Sequence, residues 1–502
     1  MIWQETGGGK GMQKAVRKTD SLSVKTQRNK PMIKLIQTPY GYFFFDTNQN
    51  ALHEVDQETY LELEKMMDGN TAVHQSKAIK SLIEEGWLSD HRVSEIYNPV
   101  TDQVEYRLNH HLSQLLLQVT QACNLCCVYC PFANNTDPAL SRSHTGKRMT
   151  FEIARKAIDF LAAKSEEMNE IAISFYGGEP LVEFPLIKQC VEYSEETFEG
   201  KELRFYITTN ATLMSEEVID YMVKHQFYIT FSLDGPKSIH DRHRTRSDGS
   251  TTYDLVMETL AKTVAKFGDD ASVHVNINMV LNPSDDFDEI LRWLEEPVLQ
   301  DIIIRTAFAE DDNLEKKFPM SQDFRKKITY QLAMSWLEYL HLTEGFKTNV
   351  ITDAMVAQEA SNGYSMLNGR GWLPDVVSPG GPCISGVRKL FVNTDGFFYP
   401  CEKVNELSSC MCIGDVEKGF DYEQVKRHIN IGQLTSETCK NCWAIVHCAI
   451  CQRGADGGDE LSGKVKNQHC AEVRQNIYKS IRTAIMLQEL QRHQDTGGVT
   501  EQ

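Results

Sequence analysis

The stretch CNLCCVYC, residues 123–130, places four cysteines in eight positions. Three of them, Cys123, Cys127 and Cys130, follow the spacing C-x3-C-x2-C, which leaves Cys126 as a spare. The run follows directly on LLLQVT (115–120), an apolar stretch that reads as a strand. A thiolate triplet at the C-terminal end of a strand stands where α/β barrels build their sites. Three thiolates can hold three irons of a 4Fe–4S cube and leave the fourth iron open.

The remaining cysteines make the same point. Of 14 in the chain, four more cluster at 439–451. The first 30 residues carry Lys10, Lys14, Arg17, Lys18, Lys25, Arg28 and Lys30 but no apolar signal-like core, so the expected location is the cytoplasm. In a reducing compartment, clustered cysteines indicate metal or iron–sulfur ligation rather than disulfides. A net charge of −18 speaks against nucleic acid or an anionic membrane as a partner, and no apolar run reaches the length of a membrane span.

Along the chain, residues 1–31 read as a disordered basic extension and 32–100 as a small separate domain. Three short strands with turns at Pro39-Tyr40-Gly41 and Asn48-Gln49-Asn50 precede two helical stretches, the second stopped by Gly86. That order is winged-helix-like. Residues 101–310 alternate strands and helices, with strands expected at 113–120, 171–176, 203–210, 227–234, 273–280 and 301–308, and with Thr150 as the N-cap of a helix. The fold class is α/β, and six parallel strands fit a barrel or partial barrel. In several of these strands apolar residues alternate with polar ones: Phe205 and Ile207 with Tyr206 and Thr208, Ile229 and Phe231 with Thr230 and Ser232, Val273, Val275 and Ile277 with Asn276 and Asn278. Successive side chains point to opposite faces. The apolar face is expected on the helices and the polar face in an open, ligand-receiving lumen. Residues 311–380 read as bridging helices and loops, 381–475 as a cysteine-rich domain, and 476–502 as a terminal helix whose tail past about 488 is disordered.

Three further motifs turn the triplet into a resemblance. FYGGEP (175–180) follows the second strand, and SLDGP (232–236) followed by HDRHR (240–244) succeeds the fourth. Together with CNLCCVYC they resemble the radical S-adenosylmethionine (SAM) family, over roughly residues 112–310. The resemblance implies a partial (β/α)6 barrel in which Cys123, Cys127 and Cys130 hold a 4Fe–4S cluster. It also implies SAM contacts from Gly177, Gly178 and Glu179 to the amino group, from Ser232 and Arg244 to the carboxylate, from Tyr129 to the adenine, and from Asn210 to ribose or substrate. A carboxylate and backbone carbonyls suit an ammonium, and a guanidinium suits a carboxylate.

In the C-terminal region, NTDGFFYPC (393–401) and CKNCWAIVHCAIC (439–451) are flanked by Cys383 and Cys470. Only five residues separate the two CxxC pairs, too few for a zinc ribbon, though zinc in another geometry stays open. The pattern resembles the SPASM extension of radical SAM enzymes, with two auxiliary 4Fe–4S clusters. That implies Cys439, Cys442, Cys448 and Cys470 on one cluster and Cys383, Cys401 and Cys451 on the other, three clusters in all. Two residues, rather than the family's three, separate Cys448 and Cys451. Cys410 and Cys412 are unassigned, and Cys190 reads as a small buried hydrophobe.

The N-terminal segment resembles a RiPP recognition element, the module that binds leaders of ribosomally synthesised, post-translationally modified peptides. CVYCPFANNTDPALSRSHTGKRMT (127–150) and the CWA at 442–444 also resemble thioether-forming peptide maturases. The expected function is therefore oxidative modification of a precursor peptide bearing a leader and a cysteine. A 5′-deoxyadenosyl radical would join the cysteine sulfur to a residue carbon, with flavodoxin or ferredoxin as the electron donor. The alternatives are carbon–carbon crosslinking, Ser or Cys oxidation as in anaerobic sulfatase maturation, and a non-catalytic metal-binding scaffold. No general base is evident.

Overall fold

The computed structural model describes residues 30–70, 76–130, 145–310, 317–342, 345, 347–367, 371–379 and 383–496. The expected basic extension (1–29) and most of the stretch 127–150 quoted above (131–144) lie outside the described residues.

The chain begins with an antiparallel meander, β1 (Ile33–Gln37), β2 (Tyr42–Asp46) and β3 (Ala51–Val55), followed by α1 (Gln57–Met67) and α2 (Lys77–Glu84). Both turns fall where Pro39–Gly41 and Asn48–Asn50 place them. Asp46 fixes the second: its buried carboxylate accepts the amides of Asn48 (2.8 Å) and Gln49 (3.2 Å), and that of Leu88 (2.9 Å) beyond α2. Asp56 and Ser76 cap the two helices.

After β4 (Glu95–Ile96) and α3 (Val104–His110) comes the α/β region: β5 (Gln114–Thr120), α4 (Phe151–Lys164), β6 (Glu170–Gly177), α5 (Phe184–Thr197), β7 (Glu202–Thr209), α6 (Glu216–Lys224), β8 (Tyr228–Ser232), α7 (Lys237–His243), α8 (Tyr253–Phe267), α9 (Ala271–His274), β9 (Val275–Leu281), α10 (Phe287–Trp293) and β10 (Ile303–Phe308). Strands β5 to β10 are parallel and lie in chain order, as an α/β barrel requires, and Thr150 caps α4 through the Ile153 amide. Phe175, Phe205, Ile207, Ile229, Phe231, Val275 and Ile277 are buried in one core beneath the helices. The opposite face carries Thr208, Thr230 and Asn276 in register, with Thr230 donating to Asn276 Oδ1 at 2.9 Å. One element departs from the expected pattern: Val273 lies in α9 and is 59% exposed. The alternation that continues into 275–281 is matched at 273 by chance, since the strand begins only after the turn at Val275.

The helices α11 (Gln322–Tyr339) and α12 (Val350–Leu367) bridge to β11 (Val376–Val377), which pairs with β4. The chain then returns to the barrel. β12 (Leu390–Val392) pairs parallel with β5 and continues through β13 (Phe397–Tyr399), β14 (Gly414–Asp415) and β15 (Gly419–Phe420). The cysteine-rich region therefore shares one ten-stranded sheet with the barrel, a junction that short strands of three and two residues did not announce. It closes with α13 (Tyr422–Ile429), α14 (Ser436–Lys440), α15 (Gly463–Gln468) and α16 (Cys470–Thr496).

Two expectations are corrected. The chain past 488 is helix as far as Thr496, because Leu487 and Leu490 pack with Leu340 and Ala360. The N-terminal module is also not a separate body. Ile36, Phe43 and Phe45 of its sheet share a core with Ala444, Ile477, Ile481 and Ile485, and the Phe45 ring meets Trp443 edge-on at 6.5 Å. Thr47 Oγ1 donates to the Trp443 carbonyl at 2.7 Å. A Phe45→Ala substitution should open this contact and cost about 3–5 kcal/mol. A denaturation midpoint unchanged from the wild type would refute the packing account.

Candidate functional site

At the C-terminal end of β5 the chain enters the triplet loop, and two glycines hold it in place. A Cβ on Gly177 would lie 2.0 Å from the Thr120 carbonyl oxygen, and one on Gly178 would lie 2.2 Å from that of Ala122. Gly177 also has φ +143°. Only glycine allows the end of β6 to close on the end of β5 this tightly. The Gly178 and Glu179 amides then donate to Thr120 (3.0 Å) and Ala122 (2.9 Å).

Glu179 carries the clamp across to β7. One carboxylate oxygen accepts Thr209 Oγ1 (2.7 Å) and the Leu181 amide (3.1 Å), and the other accepts the Asn210 amide (2.7 Å). Burial raises its pKa and these bonds oppose the rise. Asn210 in turn donates through Nδ2 to Asn124 Oδ1 (2.9 Å), and Asn124 donates to Thr212 Oγ1 (2.8 Å). The sequence reading sends Glu179 and Asn210 towards a ligand. In the structure the Glu179 carboxylate is bonded to the end of β7 and to the Leu181 amide, and the Asn210 side chain braces the cysteine loop through Asn124. Asn124 is a positioning residue that the sequence reading missed.

On the opposite side of the loop, Arg244 is buried against Asp234. Its Nε donates to Asp234 Oδ2 at 2.8 Å and Nη2 to Oδ1 at 3.3 Å. Its Nη1 lies 4.0 Å from Cys127 Sγ, and the guanidinium stands 5.4 Å from the Tyr129 ring centroid. The Tyr129 hydroxyl donates to the same Asp234 carboxylate, which also accepts the Val280 amide at 3.0 Å. Burial alone would raise the Asp234 carboxyl, but Arg244 holds it below the usual range, so the pair is ionised. Ser232, the last residue of β8, is half-buried beside this pair in sequence and pairs in register with Asn278. Asp234 was missed although it sits inside the quoted SLDGP. A carboxylate at a strand end ten residues before an arginine is the signal that identifies it.

Burial pushes the Cys123 thiol up to about 12 and Cys127 to about 11; Arg244 opposes the rise at Cys127, and Cys130 adds to both. Such thiols become thiolates only against a strong Lewis acid, which is the donor chemistry an iron–sulfur cluster uses. Cys126 is exposed, and its amide donates to the Thr245 carbonyl at 2.7 Å, so its backbone anchors the loop while its sulfur faces outward. Among the described residues no three His, Cys, Asp or Glu side chains surround a single metal ion.

Cys439, Cys442, Cys448 and Cys470 line one cavity with Lys466 and Arg474. Cys401 is raised by burial and further by the nearby Cys383 and Cys451. Cys410 and Cys412 have other partners, Asp456 Oδ1 at 3.5 Å and the Gly414 carbonyl at 3.4 Å. Cys190 is fully buried, as expected.

Residues 117–294 match the Radical SAM superfamily, so the chain carries a radical SAM domain. The chain is 36% identical over 124 residues to an uncharacterized protein of Methanocaldococcus jannaschii, a match that covers 25% of this chain and 39% of that relative's length. It is 22% identical over 378 residues to the cysteine-type anaerobic sulfatase-maturating enzyme of Clostridium perfringens (strain 13 / Type A), covering 72% of this chain and 95% of that enzyme. Among solved structures, native anSMEcpe with bound AdoMet superposes with a TM-score of 0.53 at 18% identity, over 74% of this chain and 99% of the other. At that identity the likeness is one of fold.

The triplet geometry yields a measurement. Cys126→Ala should retain the iron of the barrel site after anaerobic reconstitution, whereas Cys127→Ala should lose it. Loss in the first variant together with retention in the second would reverse the ligand assignment.

Proposed function

We propose that this protein is a radical SAM peptide maturase that joins a cysteine sulfur of a leader-bearing precursor to a carbon of another residue. The observation that carries the reading is an open-edged three-stranded sheet joined to a radical SAM domain through its cysteine-rich region. In the order β1-β2-β3 both outer strands have one strand neighbour among the described residues; β1 also lies against α16, and β3 is the edge we assign to the leader. Such an edge suits an extended leader, which would add as a fourth strand and be read by its backbone.

In this reading Cys123, Cys127 and Cys130 would hold the catalytic 4Fe–4S cluster, and the residues at the strand ends would hold SAM. Bound together, cluster and SAM supply a 5′-deoxyadenosyl radical that removes a hydrogen atom from the peptide. The chain's residues do the rest. Backbone carbonyls at Gly177–Gly178 receive the SAM amino group, Ser232 and Arg244 its carboxylate, and Tyr129 and Asn210 border the nucleoside. Asp234 keeps Arg244 charged and aimed at the cysteine loop. Thr208, Thr230, Asn276, Asn278 and Arg305 give the lumen donors and acceptors for the peptide backbone. Cys383, Cys401 and Cys451 would hold a second cluster, with three thiols from this chain to serve it. Cys439, Cys442, Cys448 and Cys470 hold the third. Flavodoxin or ferredoxin would deliver electrons in the cytoplasm.

A second reading is oxidation of a cysteine side chain to an aldehyde, favoured by the extent of the match to the cysteine-type sulfatase-maturating enzyme. One assay separates the two. Precursor, SAM and reductant are incubated anaerobically with the protein. A thioether product is lighter by two hydrogen atoms and resists thiol alkylation, whereas an aldehyde reacts with hydrazide. SAM cleavage without any change in peptide mass would reject both. If the β3 edge binds the leader, a leaderless precursor should lose at least about tenfold in kcat/KM, or about 1.4 kcal/mol of binding. Equal turnover of both peptides would remove the leader from the proposal.

A further inference from the structure

Lys466 is 1% exposed, and its ammonium has no carboxylate partner among the described residues. Instead Nζ donates to Thr435 Oγ1 at 2.7 Å and to Cys439 Sγ at 3.5 Å. An uncompensated buried ammonium costs several kcal/mol, so a chain keeps one only where negative charge offsets it. The hydrogen bonds show where that charge belongs. Thr435 Oγ1, which accepts from the lysine, also lies 3.2 Å from Cys439 Sγ, so ammonium, hydroxyl and sulfur form one hydrogen-bonded group. Among the described residues the Cys439 sulfur is therefore the neighbour of the ammonium able to carry negative charge, as a metal-bound thiolate would.

A second cation faces the same cavity. Arg474 lines it together with Cys439, Cys442, Cys448 and Cys470. Burial raises the Cys442 thiol, and the Arg474 guanidinium, hydrogen-bonded to it, opposes the rise. Burial likewise raises Cys448, against the charge of Lys466. Cys470 opens α16, and Arg474 follows it one turn later on the same helix.

Resting on the reading of this cavity as a cluster site, we infer that Lys466 and Arg474 are the built-in counter-charge of a fully thiolate-ligated iron–sulfur cluster and raise its reduction potential. Reduction adds negative charge to a body that four thiolates already make anionic, so a fixed ammonium hydrogen-bonded to one ligand sulfur favours the reduced state. Lys466 is a positioning residue in this account. It touches a ligand and neither substrate nor SAM.

The test isolates this cluster in a chain carrying Cys123, Cys127, Cys130, Cys383, Cys401 and Cys451 all as alanine, reconstituted anaerobically and titrated by electron paramagnetic resonance. Lys466→Met keeps the length and removes the charge, and Lys466→Arg keeps the charge. In Lys466→Met the reduced-to-oxidised ratio at a fixed potential should fall at least tenfold, which is 59 mV for a one-electron couple, while Lys466→Arg stays near the parent. Arg474→Met should shift the ratio in the same direction, and it serves alone if Lys466→Met does not assemble. A full 4Fe–4S complement with an unshifted potential in the charge-removing variants overturns the inference. A parent chain that binds no iron, or binds zinc instead, overturns the cluster reading beneath it, and the two failures are told apart by metal analysis.

Discussion

The close approach of β6 to β5 is the constraint on which the site depends. Two glycines without Cβ atoms let the backbone of 177–178 sit against the carbonyls of Thr120 and Ala122, and from that contact the rest follows in order. The Glu179 carboxylate reaches the end of β7, Asn210 reaches Asn124, and Asn124 lies inside the cysteine loop. A short loop that carries four cysteines has no internal reason to hold one shape. Here it is fixed by three strand ends, each tied to the next by a buried hydrogen bond.

The other side of the loop is held by charge. Asp234 and Arg244 are buried together, and the cost of taking both from water is met by two hydrogen bonds between them and by further donors from Tyr129 and the Val280 amide. Removing one partner of such a pair costs about 3–5 kcal/mol because the other is left unpaired. The same arginine lies near the Cys127 sulfur, so one residue links the charge balance of the core to that of the cysteine triplet. At the second cysteine cavity Lys466 is buried with Thr435 and Cys439, and no carboxylate, as its hydrogen-bond partners among the described residues.

Helix α16 makes these parts one body. Its first turn brings Cys470 and Arg474 to the four-cysteine cavity, and Ile477, Ile481 and Ile485 further along carry the N-terminal sheet. The peptide-binding edge proposed at β3 and the cysteine cavity thus share a helix and a core.

Much of this was determined by sequence alone. The 3.6- and 2-residue periodicities placed the six barrel strands within a few residues, because each strand's alternation and each helix's cap are local properties. The cysteine run at 439–451 was legible as a cluster in sequence, and the fold brings Cys439, Cys442 and Cys448 to one cavity together with Cys470. Tertiary structure alone decided the rest. Nothing in RKLFVN predicts that Leu390–Val392 will pair with β5, since strand pairing across more than 270 residues depends on which edge the folded barrel leaves open. The roles of Glu179, Asn210 and Lys466 were decided in the same way. A polar side chain's partner is whatever the fold brings within about 3 Å of it, and for these three that partner belongs to another element of the chain.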